Sequence, residues 1–419
     1  MPEKVRVILR WCVLIAVIAV ATGTSVAMFL YMLDRVTQVR WQSEWLLYLL
    51  PLAGIGIYWL YRKAGALAAG GNDTILREVM RPTKGVPVVM APLVLLATLI
   101  THLFGGSAGR EGTAVQMGGS LAAAIGKVFP LSDEEKRLVL LAGISAGFGA
   151  VFGTPLAGAV FALEVMAIGR LRLKALVPCF AAAMAAHFVC MACGTNHTDY
   201  HLLLPRNYFR FSIDNEQMVL FLKLILAGAV FGVVARFFAY SSHALKEVAG
   251  KTFGKRGWLS PVVGGAAIIA ATHVVGNTDY LGLGVTTATG NGASIVNAFH
   301  AGGVGQWSWL LKLVFTVVTL SMGFKGGEVT PLFFIGAALG STLAMWLGMP
   351  TDLVAGLGFI AVFAGATNTP IASAIMGGEL FGWENMGWFV LVCFVARAVS
   401  GSVSIYKAQS ENWSAMEDL

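Results

Sequence analysis

Charge is what this chain has least of. Asp, Glu, Lys and Arg make up 12% of its 419 residues against 57% hydrophobic residues, and the mean hydropathy is +0.74. That balance excludes a water-soluble globular domain and a soluble binding module, and implies an integral membrane protein. Cysteine is also sparse. The five, Cys12, Cys179, Cys190, Cys193 and Cys393, lie mostly inside apolar segments and build no disulfide framework. No His-Glu-x-x-His helix and no Ser/His/Asp set is present, so a membrane-embedded enzyme lacks its usual chemistry, and no cofactor is expected. Cys190 and Cys193, with His187, His197 and His201 nearby, have metal-ligand residue types. On spacing this loose a span end running into an external loop is the plainer reading, with a metal site the alternative.

What is present is apolar sequence broken at intervals by glycine and proline. A span needs about 20 apolar residues. Apolar periodicity predicts helices at 7–33, 45–61, 86–104, 112–128, 136–151, 155–168 and 174–194. A polar stretch, Gly194 to Glu216, then separates a second set at 217–246, 258–275, 284–300, 306–322, 329–347, 352–364, 370–381 and 386–401. Several of these are too short or too interrupted for a plain span, the pattern of discontinuous transporter helices. The first is too long for a signal-peptide core and reads as retained. The short polar tail after Tyr406 leaves a single transport domain, with halves at about 1–195 and 215–405 and no appended regulatory domain.

The net charge of +7 sits in short inter-span clusters, at Lys4, Arg6 and Arg10, at Arg62 and Lys63, at Arg77, Arg81 and Lys84, at Arg170, Arg172 and Lys174, and from Lys246 to Arg256. This distribution marks cytoplasmic ends, including the N-terminus, and does not call for nucleic acid. Trp41, Trp45, Trp307 and Trp309 fit anchoring at the membrane interface.

The halves repeat each other. Gly109-Arg110-Glu111-Gly112-Thr113 answers to Gly326-Gly327-Glu328-Val329-Thr330, each a Gly-x-Glu-x-Thr that opens an apolar helix. Thr154-Pro155-Leu156-Ala157 answers to Thr369-Pro370-Ile371-Ala372, and Glu164 falls on Glu379. Pro155 follows Glu111 by 44 residues and Pro370 follows Glu328 by 42. More weakly, Gly71-Asn72-Asp73-Thr74 matches Gly284-Val285-Thr286-Thr287. Halves of this kind insert with opposite topology and hold a substrate at their interface near the bilayer midplane.

Helix starts at Asn72, Glu111 and Glu328 brought together there would aim unpaired N–H groups and positive half-dipoles at one point. That is an anion site made of partial charges, which binds and still releases. Asn72, Thr113, Thr330 and Tyr406 would add N–H and hydroxyl donors suited to a small hard anion. Glu111 competes with the anion for those donors: ionised it occupies the site, protonated it leaves. Such a group couples anion movement to opposite proton movement. The alternative is a helix-start carboxylate paired with Arg110. Glu328 reads either as a second proton carrier, as a neutral donor to the anion, or as a capped structural carboxyl. Lys325 is its partner or a loop charge, and Glu164 and Glu379 read as structural.

These motifs resemble the CLC family of chloride channels and anion/proton antiporters. Gly109-Arg110-Glu111-Gly112 matches that family's second anion-filter motif, Gly71 to Thr74 stands where the first would be, Gly326 to Pro331 where the third would be, and Ile405-Tyr406-Lys407 where its filter tyrosine lies. The resemblance implies an all-α membrane fold of about 18 helices in two inverted repeats, and a homodimer with a separate pathway in each subunit. Departures point to one branch. Asn72 replaces the filter serine and its following proline is missing, Val329 replaces the usual phenylalanine, Glu328 and Thr330 are added, and Val165 stands at the inner proton glutamate. These resemble the branch that exchanges fluoride for protons in bacterial plasma membranes. The resemblance therefore implies fluoride export, with Glu111 and Glu328 in gating and proton transfer and Asn72, Gly109, Arg110, Gly112, Thr113, Val329, Thr330 and Tyr406 around the anion. A chloride/proton exchanger or chloride channel of the same fold is the alternative.

Overall fold

The computed structural model describes residues 3–64, 66–83, 85–166, 173–198 and 215–409. Lys84, Arg170, Arg172, His201, the tail from 410 and most of the central polar stretch lie outside these residues. The first half comprises α1 (Glu3–Gln42), α2 (Leu50–Ala64), α3 (Ala66–Ala69), α4 (Asn72–Met80), α5 (Met90–Leu103), α6 (Glu111–Gly126), α7 (Asp133–Phe152), α8 (Pro155–Glu164) and α9 (Leu176–Ala192). The second comprises α10 (Asn215–Phe253), α11 (Leu259–Val275), α12 (Ile295–Ala298), α13 (Ser308–Ser321), α14 (Val329–Leu347), α15 (Thr351–Thr367), α16 (Pro370–Phe381) and α17 (Met386–Ser400). The described residues hold no β-strand. Among the described residues five helices are long and apolar enough to cross a membrane, and six more are apolar but shorter.

Leaving out the single turn α3, the two sets correspond in order, from α1 with α10 to α9 with α17. The corresponding joints share one chemistry. α7 ends on Gly153 (φ 74°) and α15 on Asn368 (φ 57°), both left-handed. A threonine and then a proline at the first helical position restart the chain as α8 and α16, because a left-handed residue closes a helix and proline's fixed φ opens the next.

Glycine sets the packing between α6 and α7 and between α14 and α15. A Cβ on Gly118 would stand 2.2 Å from Gly143 O, and one on Gly336 would stand 2.0 Å from Gly358 O. Each pair of helices therefore crosses backbone on backbone, as apolar helices do where small residues let them approach. An aromatic core of Phe148, Phe161, Phe333, Phe359 and Phe363, with rings 3.9 to 6.4 Å apart, ties the two halves together.

Three sequence expectations need correction. Helices predicted at 7–33 and 217–246 are longer, because the polar residues at their ends continue the helix as α1 and α10. The helix predicted at 284–300 shrinks to Ile295–Ala298. Gly282, Gly284 and Gly290 adopt positive φ (57°, 76° and 75°). Asp279 Oδ2 accepts from Ala293 N at 2.7 Å, and Asn297 Nδ2 donates to Gly290 O and Gly292 O at 2.8 Å, folding the preceding residues into a loop. Thus Gly284 to Thr287 is not a helix start, and the second-half counterpart of α4 opens at Ile295, where Ser294 Oγ accepts from Asn297 N.

Candidate functional site

The loops before α6 and α14 meet. Gly109 and Gly327 exchange two backbone hydrogen bonds, Gly109 N to Gly327 O at 2.6 Å and Gly327 N to Gly109 O at 2.8 Å. Glycine is required at this approach, since a Cβ on Gly327 would lie 2.7 Å from Gly112 N. The pairing sets the starts of the two helices side by side. A Cβ at Gly112 would lie 3.1 Å from Gly327 Cα, 3.2 Å from Asn72 Nδ2 and 3.8 Å from Glu328 Oε2. The starts of α4, α6 and α14 therefore converge, as the repeated motifs predict.

Glu111 is 1% exposed, and its carboxylate reaches across to the other half. Oε2 accepts from Thr330 N at 3.0 Å and from Arg110 N at 3.1 Å, while Oε1 accepts from the Thr330 hydroxyl. Arg110 Nε is 3.5 Å from Oε1, so the arginine is a neighbour while Thr330 is the principal partner. The carboxylate thus sits where the first turn of α14 offers free N–H groups and positive half-dipole. The loop leading to α6 is held by His102, whose Nδ1 faces Thr98 O at 2.8 Å and whose Nε2 faces Ala108 O at 3.0 Å.

The remaining predicted residues divide. Asn72 and Tyr406 line one cavity of about 10 Å³, together with Val165. Asn72 Oδ1 is buried without a hydrogen-bond partner. Tyr406 is 7% exposed and lies within electrostatic range of Glu328, Asp73 and Glu111. Its loop is pinned by Asp73 Oδ1, which accepts from Ala408 N at 3.0 Å, and by Ser404 O, 2.7 Å from His243 Nε2. Val329 is buried at the α14 start. The Thr113 hydroxyl bonds Thr98 Oγ1 at 2.7 Å and so ties α6 to α5. Glu328 stands half-buried at the N-cap of α14. Lys325 Nζ lies 4.5 Å from the centroid of the Tyr61 ring, a cation–π contact in place of a pairing with Glu328.

Two features escaped sequence reasoning. Lys312 is wholly buried on α13, its ammonium donating to Tyr280 O (3.1 Å) and Gly282 O (2.8 Å). A single lysine in an apolar helix gives no sign of which carbonyls it will meet. A vestibule of about 770 Å³, lined by Arg40 and Arg110 among others, opens on the side of the protein where α1 ends. Behind it a cavity of about 20 Å³ is shared by Glu111, Thr330, Arg110 and His197. Within the Cys190 and Cys193 group, Cys190 Sγ contacts Thr195 Oγ1 at 3.1 Å and the His187 and His197 rings stack at 5.6 Å. Among the described residues no three potential ligands converge.

Two inverted repeats, broken helices starting at a shared interior point and long apolar spans together define a membrane transport protein of the CLC type. The chain belongs to the voltage gated chloride channel family, whose sequence profile matches residues 53–401. It is 44% identical over 410 residues to a chloride/fluoride channel protein of Pseudomonas syringae pv. tomato, covering 96% of this chain and 86% of that one. It is 27% identical over 352 residues to an H(+)/Cl(-) exchange transporter of Vibrio cholerae, covering 78% and 70%. Among solved structures, a CLC-type fluoride/proton antiporter superimposes with a TM-score of 0.88 at 35% identity, covering 96% of this chain and 98% of that one. A slow cyanobacterial Cl-/H+ antiporter superimposes at 0.79 and 18% identity, covering 95% and 96%, a likeness of fold alone.

Proposed function

We propose that this protein exports fluoride across a bacterial plasma membrane in exchange for entering protons. The observation that carries this reading is the Glu111 carboxylate, held by the N–H and O–H of Thr330 at the start of α14. A negative group resting on helix-start donors occupies ground that a small anion would take. Ionised, Glu111 closes the path from the vestibule. Protonated, it loses its charge-assisted hold on Thr330 and yields to the anion. One carboxyl thereby exchanges an anion for a proton.

Asn72 and Tyr406 line the path further in. Gly109, Arg110, Gly112 and Val329 supply the backbone around the anion, and Glu328 assists proton movement on the far side of Glu111. Fluoride is favoured over chloride by Asn72, Val329 and Thr330 standing where chloride-transporting members have other residues, and by the 35% identity to a fluoride/proton antiporter of known structure. The basic clusters orient the N-terminus toward the cytoplasm, so the vestibule opens outward. Two copies form a homodimer, each with its own pathway.

The alternative, a chloride/proton exchanger or an uncoupled channel of the same fold, is favoured by the names of the Vibrio cholerae and Pseudomonas syringae relatives. Proteoliposomes loaded with equal fluoride and chloride, followed with ion-selective electrodes, separate the anions. Fluoride leaving far faster than chloride is expected; comparable chloride efflux rejects the proposal.

A further inference from the structure

The exchange proposed above requires protons to reach Glu111, which is 1% exposed. The vestibule and the small cavity behind it share Arg110, Thr198 and Val285, so the two adjoin. The small cavity, about 20 Å³, has room for roughly one water. Apart from Glu111, its titratable lining among the described residues consists of Arg110 and His197. A guanidinium keeps its proton at any working pH and cannot pass it on. The imidazole can.

His197 is also placed as a structural histidine would not be. Both of its ring nitrogens are buried and have no hydrogen-bond partner, although buried polar atoms are normally satisfied. The ring packs against Gly153, where a Cβ would stand 2.7 Å from Cδ2, and stacks on His187. Among the described residues a backbone group of Val151 lies near the ring, short of full hydrogen-bond geometry. We propose that His197 is a proton relay between the vestibule and Glu111, accepting a proton on one ring nitrogen and releasing the other through the water that fits the small cavity. The proton released joins a Glu111 oxygen as that oxygen gives up the Thr330 hydroxyl, and tautomer exchange resets the ring.

Among the described residues the charged and titratable groups around the imidazole are Arg110, Glu111 and His187. His197 lies in the loop after α9, and desolvation first, then Arg110 and His187, lower its pKa to about 4 against an opposing contact with the Val151 backbone. At rest it is therefore neutral, with a proton on one ring nitrogen and the other free to accept, which suits a group that transmits and does not store. The imidazolium forms only in passing.

This inference rests on the exchange reading, so the wild-type protein is measured in the same vesicles. Full-length wild type, His197→Ala and His197→Gln are reconstituted, and fluoride efflux and proton uptake are followed together with the vestibule side held between pH 6 and 8. Both variants are expected to exchange about 10- to 100-fold more slowly. The deficit should be largest at the alkaline end, fluoride binding should be unchanged, and imidazole added on the vestibule side should restore the rate of His197→Ala. Wild-type rates in both variants, or slowing that imidazole does not relieve, overturn the relay. If His197→Ala does not reconstitute, His197→Gln decides: a wild-type rate at the alkaline end overturns the relay, and a deficit that fades as the vestibule side is acidified supports it. A wild type that moves fluoride without protons overturns the exchange reading instead, whatever the variants do.

Discussion

Glu164 and Glu379 cap each other's helices. Glu164, last in α8, accepts from Ile371 N at 3.0 Å and Ala372 N at 2.8 Å in the first turn of α16. Glu379, near the end of α16, accepts from Leu156 N at 3.0 Å and Ala157 N at 2.8 Å in the first turn of α8. The exchange is reciprocal because the halves are inverted copies. It satisfies four of the N–H groups that helix starts leave open. It also shows in structural form what Glu111 does at α14: a carboxylate from one half rests on a helix start in the other.

Glu164→Ala and Glu379→Ala should each lower stability by about 1–3 kcal/mol for every N–H orphaned. The two losses should be similar, and each Gln variant, which keeps one acceptor oxygen, should fall between. Thermal unfolding in detergent measures this. Folded variants should keep the wild-type ratio of protons to fluoride; an altered ratio would make these glutamates proton carriers.

Thr330→Val keeps the shape and the backbone N–H but deletes the hydroxyl that Glu111 accepts. A hydrogen bond to a charged partner is worth about 1.5–3 kcal/mol, so fluoride affinity should fall by roughly 10- to 100-fold. Calorimetric titration with fluoride reads the change. Unaltered affinity would mean that the hydroxyl meets Glu111 alone and never the anion.

Glu111→Gln removes the titratable group and preserves most of the volume. Proton movement should stop while the fold persists, seen as fluoride efflux, slow or fast, with no accompanying proton uptake. Coupling at the wild-type ratio in this variant removes Glu111 from the mechanism.

Gly336→Ala would press a methyl to 2.0 Å from Gly358 O, whereas a Cβ at Gly250 on α10 meets nothing within 4 Å. Overpacking of this kind costs about 1–3 kcal/mol or more. Gly336→Ala should yield little monodisperse protein by size exclusion, and Gly250→Ala should behave as wild type. Equal yields would show that α14 and α15 separate without penalty.

Much of this architecture can be read from residues. Gly-x-Glu-x-Thr announces a helix start, and the recurrence of that motif and of Thr-Pro predicted the inverted halves that Gly109 and Gly327 now join. The partners were hidden. Nothing local to Glu111 indicates that it accepts from Thr330, or that Thr113, the matching threonine, turns to Thr98, because both depend on contacts between distant segments. The loop at 276–294 read as part helix because its glycines sit among apolar residues. Hydropathy does not register the positive φ that Gly282, Gly284 and Gly290 adopt. His197 stood out only as one of a loose set of metal-ligand residue types near Cys190 and Cys193, since a sequence does not reveal which cavity a ring will line.

The central claim is that one carboxyl alternates between a proton and a small anion's ground, and the most direct test is uphill proton transport. Proteoliposomes holding the wild-type protein are given an outward fluoride gradient with no proton gradient and the membrane potential clamped, and internal pH is recorded. The account predicts that fluoride leaving drives protons in against their own rising gradient, until an uncoupler collapses it. Fluoride running down completely with internal pH unmoved would contradict it.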